Sequence, residues 1–478
     1  MEKLSFMVED RRFDYPCFEL YQQFAPEVPV VFNEPLDNRI EVQAAEGRLT
    51  LSAWQDGQCQ KYACYTYEKD PLDKQLFKGF LYDFLCECFD RKLDWGVLTG
   101  IKPVKWAHLF LKKGKRPNAV VELLKEQFKL SNEKAELITN IAAGELPFIY
   151  PLDRKRVSIY VGVPLCIAKC AYCSFISTIL DKKGVIAETY LQNLLYEIRE
   201  TAAYVTTQGL SVDTLYIGGG TPSVFTEEQT ERLLKTLKTQ FDLSCLREYT
   251  FEAGRPETTT EEKLDILKQY GVTRVCLNPQ SMNADTLLAV GRRHRPEDII
   301  RTYETIRRVG FDSVNMDLIL GLNHEPPEAF DRSLKAVIAL KPENITVHCL
   351  AIKKGSAIKQ ATGRQVENLY TPNFHQEIQQ KLADAAYSPY YLYRQKYTQG
   401  NGENIGYCLP GKEGIYNMLM MAEKQSIIGI GAGSSGKLYD PDTDRFDKIF
   451  TVKDVRTYNE RTEDIVRRKL DGYRQFFG

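Results

Sequence analysis

Three cysteines near the middle of the chain are the residues best suited to chemistry. Cys166, Cys170 and Cys173 follow an apolar, strand-like run and have the spacing Cys-x3-Cys-x2-Cys. Three thiolates so close together can bind three of the four irons of a cubic [4Fe–4S] cluster. The fourth iron then has no protein ligand and is free to chelate a small molecule.

A free iron corner is what reductive cleavage of S-adenosylmethionine (SAM) requires. An electron enters the cluster, the sulfonium C–S bond breaks, and a carbon radical forms beside the cluster. The cysteine spacing therefore predicts radical chemistry, with a [4Fe–4S] cluster and SAM as cofactors.

The sequence also leaves open three different roles for these cysteines. A zinc site usually has four ligands in paired Cys/His spacing, and no fourth Cys or His lies nearby in this chain, which has five His in all. A disulfide framework is typical of short secreted chains. Three unrelated structural cysteines are the simplest alternative.

The composition predicts a cytoplasmic protein of two or three domains. The chain has 478 residues, 43% of them hydrophobic, and a formal net charge of −1, so no global basic field would attract nucleic acid. No apolar stretch approaches the ~20 residues that span a bilayer. The N-terminal ten residues do not resemble a secretory signal, and in the cytoplasm cysteines stay reduced.

Strand-like and helix-like runs alternate from about residue 151. Six such units in order predict parallel strands joined by right-handed crossovers, two short of a closed eight-stranded barrel. The predicted fold class is therefore α/β, a partial (β/α)6 TIM-like barrel. Its predicted strands are Val157–Gly162, Thr214–Gly218, Tyr249–Glu252, Arg274–Asn278, Ser313–Leu318 and Asn344–Cys349.

The chain is predicted to have three domains. Residues 1–150 have the pattern of an α+β domain without a catalytic constellation, 151–375 that of the barrel, and 376–478 that of a C-terminal domain that covers the active site. In the first domain, the Gly-punctuated basic tract Trp95–Lys105 is interpreted as a structured connector, with an anion site as the alternative.

Polar or glycine residues stand at several of the predicted strand ends, where barrel chemistry gathers. Three consecutive glycines allow the backbone to lie close to a ligand such as the aminoacyl end of SAM, because no Cβ intervenes; a tight turn is the alternative. Arg292 and His294 lie in a loop before a helix and form either an anion site or a solvated charge cluster. The strand-end residues are Gly218–Pro222, Glu252, Asn278–Gln280 and Asn315–Asp317.

A second glycine pattern, Gly431–Gly436, matches G-x-G-x-x-G. The dinucleotide fingerprint also needs a βαβ unit and an acidic residue about twenty positions on. The segment after Gly436 is rich in Asp and Pro rather than helical, so no nicotinamide site is expected.

An ordered set of motifs resembles radical SAM enzymes of the oxygen-independent coproporphyrinogen III oxidase (HemN-like) family, over about residues 155–355. Three further features are similar to its HemZ-type branch, namely Trp95–Gly100, Glu252–Pro256 and the segment 393–407. The shared motifs are Cys166–Cys173, Gly218–Pro222, Glu252, Gln280, Gly291–His294 and Asn315–Leu322.

The resemblance implies residue roles. Cys166, Cys170 and Cys173 match the cluster ligands, and Tyr160, Gly219 and Glu252 match residues that contact the cluster-bound SAM. Tyr172 matches an aromatic residue near a second SAM, and Ser435 is carried over from the glycine-rich C-terminal segment. The other positions implied for the second SAM are Gly220, Thr221, Gln280, Arg292, Asp317 and Ala351.

The resemblance also implies an activity. The expected reaction is oxidative decarboxylation of coproporphyrinogen III to protoporphyrinogen IX in haem biosynthesis, by a SAM-derived 5′-deoxyadenosyl radical. It implies a tetrapyrrole substrate and a reduced flavodoxin- or ferredoxin-type electron donor. Arg394 and Lys396, which lie among tyrosines in the sequence, are candidates to bind the substrate's carboxylates. The alternative is that they belong to a surface salt-bridge pair.

One departure from the family pattern leaves the activity open. The family's oxidase has a further cysteine, not a cluster ligand, two positions after the third; this chain has Phe175 there, as the haem-chaperone relatives do. The alternatives are therefore a haem chaperone of the HemW type and a radical SAM enzyme that modifies haem.

Overall fold

Short alternating runs near the N-terminus form a five-stranded sheet. The computed structural model describes residues 3–68, 71–181, 183–351, 370–395, 398 and 402–478, and the chain divides into two compact units, residues 1–143 and 144–478. The strands of the first unit are β1 (Leu4–Val8), β2 (Val30–Phe32), β3 (Arg39–Ala45), β4 (Arg48–Gln55) and β5 (Gln58–Thr66). They lie in the order β2-β1-β3-β4-β5.

Helices complete the N-terminal part of the chain: α1 (Asp14–Phe24), α2 (Lys74–Phe89), α3 (Val104–Lys112), α4 (Pro117–Phe128) and α5 (Asn132–Ile149). The tract after α2 is packed: Trp95 is buried, and a Cβ at Gly96, which has φ +47°, would overlap the carbonyl of Phe128. This packing favours the connector interpretation over an anion site.

The second unit begins with the predicted alternation of strands and helices. Each of the six predicted strands is present, and each pairs in parallel with its neighbours in the barrel. The strands are β6 (Arg156–Val163), the short pair β7 (Leu165–Cys166) and β8 (Thr178–Ile179), then β9 (Ser211–Gly219), β10 (Glu248–Glu252), β11 (Arg274–Cys276), β12 (Val314–Leu320) and β13 (Asn344–Cys349).

Amphipathic helices cover the outside of these strands. Their starts follow ordinary capping chemistry: Thr226 accepts a hydrogen bond from the backbone N–H of Gln229, and Thr260 accepts one from Lys263. The helices are α6 (Val185–Thr207), α7 (Glu227–Gln240), α8 (Glu261–Gln269), α9 (Ala284–Ala289), α10 (Pro296–Val309) and α11 (Pro327–Leu340).

The remaining elements extend the same sheet on both sides. The full order is β14-β15-β13-β12-β11-β10-β9-β6-β16-β17-β18, so residues after 376 share a sheet with the barrel, and the predicted three-domain division stays a prediction. The elements are β14 (Ser388–Arg394), β15 (Glu403–Cys408), β16 (Ser426–Ile430), β17 (Gly436–Asp440) and β18 (Arg445–Ile449), with α12 (Pro372–Asp384), α13 (Ile415–Ala422), α14 (Val455–Glu460) and α15 (Thr462–Phe477).

Strand β16 is a seventh parallel strand, which the sequence patterns did not predict. It pairs with β6, with Gly429 opposite Tyr160. Because parallel strands end at the same edge, the Gly431–Gly436 loop lies at the edge where the cysteine loop begins. The glycine-rich pattern is thus a strand-end loop of the barrel, and not the start of a dinucleotide-binding helix.

A buried ion pair ties the C-terminal helix to α6. Glu197 of α6 and Lys469 of α15 are 0% and 2% exposed and form a salt bridge. Glu197 also accepts hydrogen bonds from the Tyr458 hydroxyl and from the Gly431 N–H, the latter at 2.8 Å. This pair therefore fixes the beginning of the Gly431–Gly436 loop.

Replacing Lys469 by methionine is expected to lower the free energy of unfolding by roughly 3–5 kcal/mol, because it leaves the Glu197 carboxylate buried without its cation. Thermal and urea unfolding of the apoprotein measure this. Arg467→Ala on the same helix is the control, since Arg467 pairs with Asp464 at the surface and exposed pairs contribute little. Equal midpoints for the two variants would contradict the expectation.

No helix in the described part of the chain has the length and apolar character needed to cross a membrane.

Candidate cofactor and active site

The cysteine motif forms a compact loop at the end of β6. Cys166 lies in β7, which pairs with β8, and Cys173 donates its N–H to the Cys170 carbonyl at 3.1 Å. The N–H of Ala171 donates to the Val290 carbonyl at 3.0 Å, so the loop is fixed to the far side of the barrel mouth. Cys166 and Cys170 are buried, and Cys173 is half-buried.

The three thiols fit a cluster better than the alternatives. All cysteines of the chain are free, so no disulfide framework exists. In the ranges that the structure describes, no group of three or more His, Cys, Asp or Glu side chains converges as one metal ion requires. A [4Fe–4S] cluster binds each thiolate through a different iron, so its ligands need not share one coordination sphere.

Burial raises the pKa of the Cys173 thiol, and the neighbouring Cys170 and Cys166 add to the rise. Ionisation of the Cys173 thiol is therefore disfavoured unless a cation compensates its charge. Iron provides such a charge, because metal binding deprotonates its thiol ligands.

The Gly218–Thr221 loop packs directly against this cysteine loop. The N–H groups of Gly220 and Thr221 donate to the carbonyls of Val163 and Leu165 at 2.9 and 2.8 Å. A Cβ at Gly220 would lie 2.9 Å from the Cys166 sulfur, and one at Gly218 would lie 2.9 Å from the Glu252 carboxylate. Close packing within the chain therefore already requires glycine at these positions, whether or not a ligand approaches them.

Glu252 lies at the end of β10 and connects this loop to the barrel interior. Its carboxylate accepts hydrogen bonds from the Tyr216 hydroxyl at 2.6 Å and from the Gly219 N–H at 3.1 Å. Burial raises the pKa of Glu252 to about 7, with Asp317 adding to the rise and the two hydrogen bonds opposing it. The carboxyl group is thus poised between its two protonation states near neutral pH.

Three tyrosines line the interior beside Glu252. The rings of Tyr160 and Tyr216 have centroids 6.0 Å apart, and Tyr416 of α13 stacks on Tyr216 at 4.6 Å. Burial, followed by the nearby Glu252, raises the pKa of Tyr160, so these hydroxyls stay neutral. Tyr416 was not predicted from the sequence, because no local pattern relates α13 to strands that lie so much earlier in the chain.

A second polar group lies on the neighbouring strands β12 and β13; Asn315 and Asp317 are inside β12 and not at its end as predicted. Asp317 accepts a hydrogen bond from the Asn315 amide at 2.7 Å, and its carboxylate lies 3.7 Å from the His348 Nε2. Burial acts to raise the pKa of Asp317, but His348 and the hydrogen-bond donors lower it overall. His348, which also lies 3.2 Å from the Tyr393 hydroxyl, was missed because it falls inside a predicted strand.

Gln280 extends this group to the next strand. Its N–H donates to the Asp317 carbonyl at 2.8 Å, and its own carbonyl accepts from the Ile319 N–H at 2.8 Å. Gln280 has φ +70°, a conformation that non-glycine residues rarely adopt. The two bridging hydrogen bonds hold it there.

Arg292 and Tyr172 interact electrostatically near the cysteine loop. Arg292 is buried and donates to the carbonyls of Asn278 and Pro279. Tyr172 packs on an apolar cluster formed by Val290, Ile319, Leu322 and Leu350. The interpretation of Arg292 and His294 as a solvated charge cluster is therefore wrong, since both side chains are buried.

The structure describes all but one of the remaining predicted residues. Thr221 places its hydroxyl 3.5 Å from the Cys166 sulfur, and Ala351 pairs with Thr398 as an isolated bridge. Ser435 is half-buried in the loop between β16 and β17. Arg394 is buried in β14, and Lys396 lies outside the described residues. The roles implied for all these residues stay predictions.

Comparison with known proteins identifies the family. The model of the Radical SAM superfamily matches residues 160–337. The Bacillus subtilis (strain 168) protein named oxygen-independent coproporphyrinogen-III oxidase-like protein HemZ is 39% identical over 428 residues, covering 86% of this chain and 84% of that protein. The chain belongs to the radical SAM superfamily, among its HemN/HemZ-like proteins.

Further relatives match shorter stretches of the chain. The heme chaperone HemW of Escherichia coli (strain K12) is 29% identical over 286 residues, 60% of this chain and 71% of that protein. The oxygen-independent coproporphyrinogen III oxidase of the same strain is 32% identical over 207 residues, 43% of this chain and 44% of that protein.

A solved structure of the radical SAM enzyme coproporphyrinogen III oxidase (HemN) from Escherichia coli superposes with a TM-score of 0.52 at 23% identity, over 69% of this chain and 73% of that one. The predicted fold, a partial TIM-like barrel, is confirmed. The superfamily uses a [4Fe–4S] cluster and SAM, so the cofactor prediction is confirmed as well.

Proposed function

We propose that this protein catalyses the oxygen-independent oxidative decarboxylation of coproporphyrinogen III to protoporphyrinogen IX. The observation that carries the proposal is the relationship to HemZ over 86% of the chain, because that protein's name refers to the same reaction. The polar side chains around Glu252 and Asp317 provide a polar interior that is consistent with this proposal.

The proposed reaction acts on two propionate side chains of the substrate. Each loses a hydrogen atom from its β-carbon, then CO2 and one electron, and becomes a vinyl group, so a one-electron acceptor is also needed. Cys166, Cys170 and Cys173 would hold the cluster, and Tyr160, Gly219 and Glu252 would hold SAM. When bound, these cofactors supply the carbon-centred radical that removes the hydrogen atom.

The chain's own contribution is orientation and exclusion of water. Tyr160, Tyr216 and Tyr416 form a stacked wall whose hydroxyls stay neutral. A wall of this kind keeps solvent from a reactive intermediate and holds the reacting carbon in place. The site needs no general acid–base pair, because no proton transfer drives the proposed decarboxylation.

A basic cavity supports an anionic, carboxylate-rich substrate. It has a volume of about 770 Å³, which lies in the range of small-molecule sites. Arginine binds carboxylates through paired N–H groups, and Leu288 and Met282 add apolar surface for a ring edge. Four arginines and two acidic residues line the cavity: Arg292, Arg293, Arg295, Arg332, Asp285 and Glu297.

A second candidate function is haem delivery by a chaperone. Phe175 stands where the oxidase family has its additional cysteine, and its side chain is 69% exposed on the cysteine loop. The similarity to HemW points in the same direction. An exposed aromatic next to the cofactor site is suited to contact a flat apolar macrocycle.

The test is an anaerobic product assay on the reconstituted protein with SAM, a chemical reductant and coproporphyrinogen III. We expect vinyl product, with two SAM consumed for each porphyrinogen. We expect Arg293→Ala with Arg332→Ala to raise the KM by at least about a hundredfold, because each charged hydrogen bond contributes about 1.5–3 kcal/mol and every 1.4 kcal/mol corresponds to a factor of about ten. Arg301→Ala, in an exposed pair on α10, is the matched control.

Different outcomes of this assay separate the rival functions. SAM cleavage without decarboxylation rejects the oxidase. Stable retention of added haem with no SAM turnover favours the chaperone, and conversion of added haem to an altered ring favours a haem-modifying enzyme.

A further inference from the structure

A buried arginine contacts one of the three motif cysteines. Arg255 lies three residues after Glu252, and its side chain is 4% exposed. One terminal nitrogen donates to the Cys170 sulfur at 2.9 Å and to the Ala168 carbonyl at 3.1 Å. The guanidinium thus contacts the cysteine loop at Cys170, a predicted cluster ligand, and at Ala168, which lies between Cys166 and Cys170.

Burying a guanidinium is costly unless a negative charge and hydrogen bonds compensate it. Two groups near Arg255 can carry that charge: the Cys170 thiol and the Glu257 carboxylate. Burial opposes ionisation of Glu257, but His294 beside it, with a contribution from Arg255, lowers its pKa to about 2. Glu257 therefore stays ionised, whereas the hydrogen bonds described above direct the Arg255 guanidinium to the cysteine loop.

The backbone of Arg255 is fixed. Its carbonyl accepts hydrogen bonds from the Thr258 N–H at 3.2 Å and from the Thr259 hydroxyl at 2.8 Å. The residue precedes a short 3-10 turn, Pro256–Thr258. A donor held on a rigid turn can orient the group that it contacts.

We propose that Arg255 is a positioning residue for the iron–sulfur cluster: it donates to the Cys170 thiolate, orders the loop between Cys166 and Cys170, and raises the cluster's reduction potential. Reduction adds negative charge to the cluster. A cation and an N–H donor at a ligand sulfur stabilise that added charge, which makes reduction easier.

The proposal rests on Cys170 as a cluster ligand and does not depend on the identity of the substrate. It also assigns two different contacts to the segment Glu252–Pro256: Glu252 would contact SAM, and Arg255 would contact a ligand of the cluster.

The experiment is an EPR-monitored redox titration of anaerobically reconstituted wild type, Arg255→Gln, Arg255→Lys and Lys263→Gln, with iron and sulfide content measured on each. Lys263 is the matched control. It is a buried cation that donates to the Ser223 and Thr258 carbonyls at 2.9 Å and contacts no cysteine in the described structure. Iron content of Cys170→Ser is measured alongside.

We expect Arg255→Gln to make one-electron reduction at least tenfold less favourable, a fall of about 59 mV in midpoint potential. Arg255→Lys should lie between it and wild type, and Lys263→Gln should match wild type. Loss of the cluster from Arg255→Gln alone, with the potential of Arg255→Lys still lowered, also supports the proposal.

An Arg255→Gln potential equal to that of wild type overturns it, as does an equal shift in Lys263→Gln. If Cys170→Ser binds a full cluster, then the ligand assignment is wrong and the proposal fails at that earlier step.

Discussion

Alanine at Cys166, Cys170 or Cys173 is expected to abolish both cluster binding and SAM cleavage. Each thiolate binds a different iron, so the loss of one leaves an iron without its protein ligand, and no nearby Cys can replace it. The iron content should fall from about four iron atoms per chain to a small remaining fraction. Iron and sulfide analysis, the EPR signal after chemical reduction, and deoxyadenosine release measure the effect.

Cys408→Ala is the control for the cysteine variants. Cys408 is a buried cysteine of the same sheet, but it lies in β15 and not in the motif loop. It should retain iron and deoxyadenosine release. A motif variant that keeps full iron content and full release would remove the basis of the proposed site.

Glu252→Gln is expected to stabilise the apoprotein at alkaline pH while abolishing SAM binding. Because the folded-state pKa of Glu252 is raised to about 7 by burial, above its usual value near 4.3, the folded protein holds this proton more tightly than the unfolded chain. The stability that the proton contributes is fully present below about pH 4.5 and is lost as the pH rises through 7.

Glutamine carries no charge, so the variant does not lose stability in this way as the pH rises. Between pH 5 and pH 8 the unfolding free energy of wild type should fall relative to Glu252→Gln by about 2 kcal/mol. Urea unfolding of both apoproteins across that range measures the difference, and calorimetry with SAM on the reconstituted proteins measures binding.

Glu227→Gln is the matched comparison for pH. A hydrogen bond from the Thr260 hydroxyl lowers the pKa of Glu227, so its contribution should be present at pH 5 and at pH 8 alike. A Glu252→Gln variant whose stability tracks wild type at every pH would show that the carboxylate is not destabilised by its site.

The barrel was predictable because its signals are local. Each strand is a short apolar run and each helix a run of helical period, and β13 (Asn344–Cys349) agrees with the prediction to the residue. The cysteine motif is equally local, since three ligands within eight residues must meet whatever the rest of the chain does.

Other parts of the site depend on contacts between distant segments. Tyr416 reaches Tyr216 across 200 residues of chain, and β16 joins β6 after an even longer separation. A local pattern carries no information on which strand becomes the neighbour of β6. That pairing depends on which faces of the sheet and helices become buried when the chain folds.

The sequence by itself determined the cysteine motif and the order of the six predicted barrel strands with their helices, since spacing and period suffice for these, and the resemblance of its motifs to known ones indicated the family. Only the tertiary structure decided that the glycines at 218–220 are required by packing, that Arg292 is buried, and that Arg255 contacts the Cys170 sulfur. The physical reason is that burial, hydrogen-bond partners and pKa values depend on the atoms brought close by folding, and those atoms come from residues far apart in the chain.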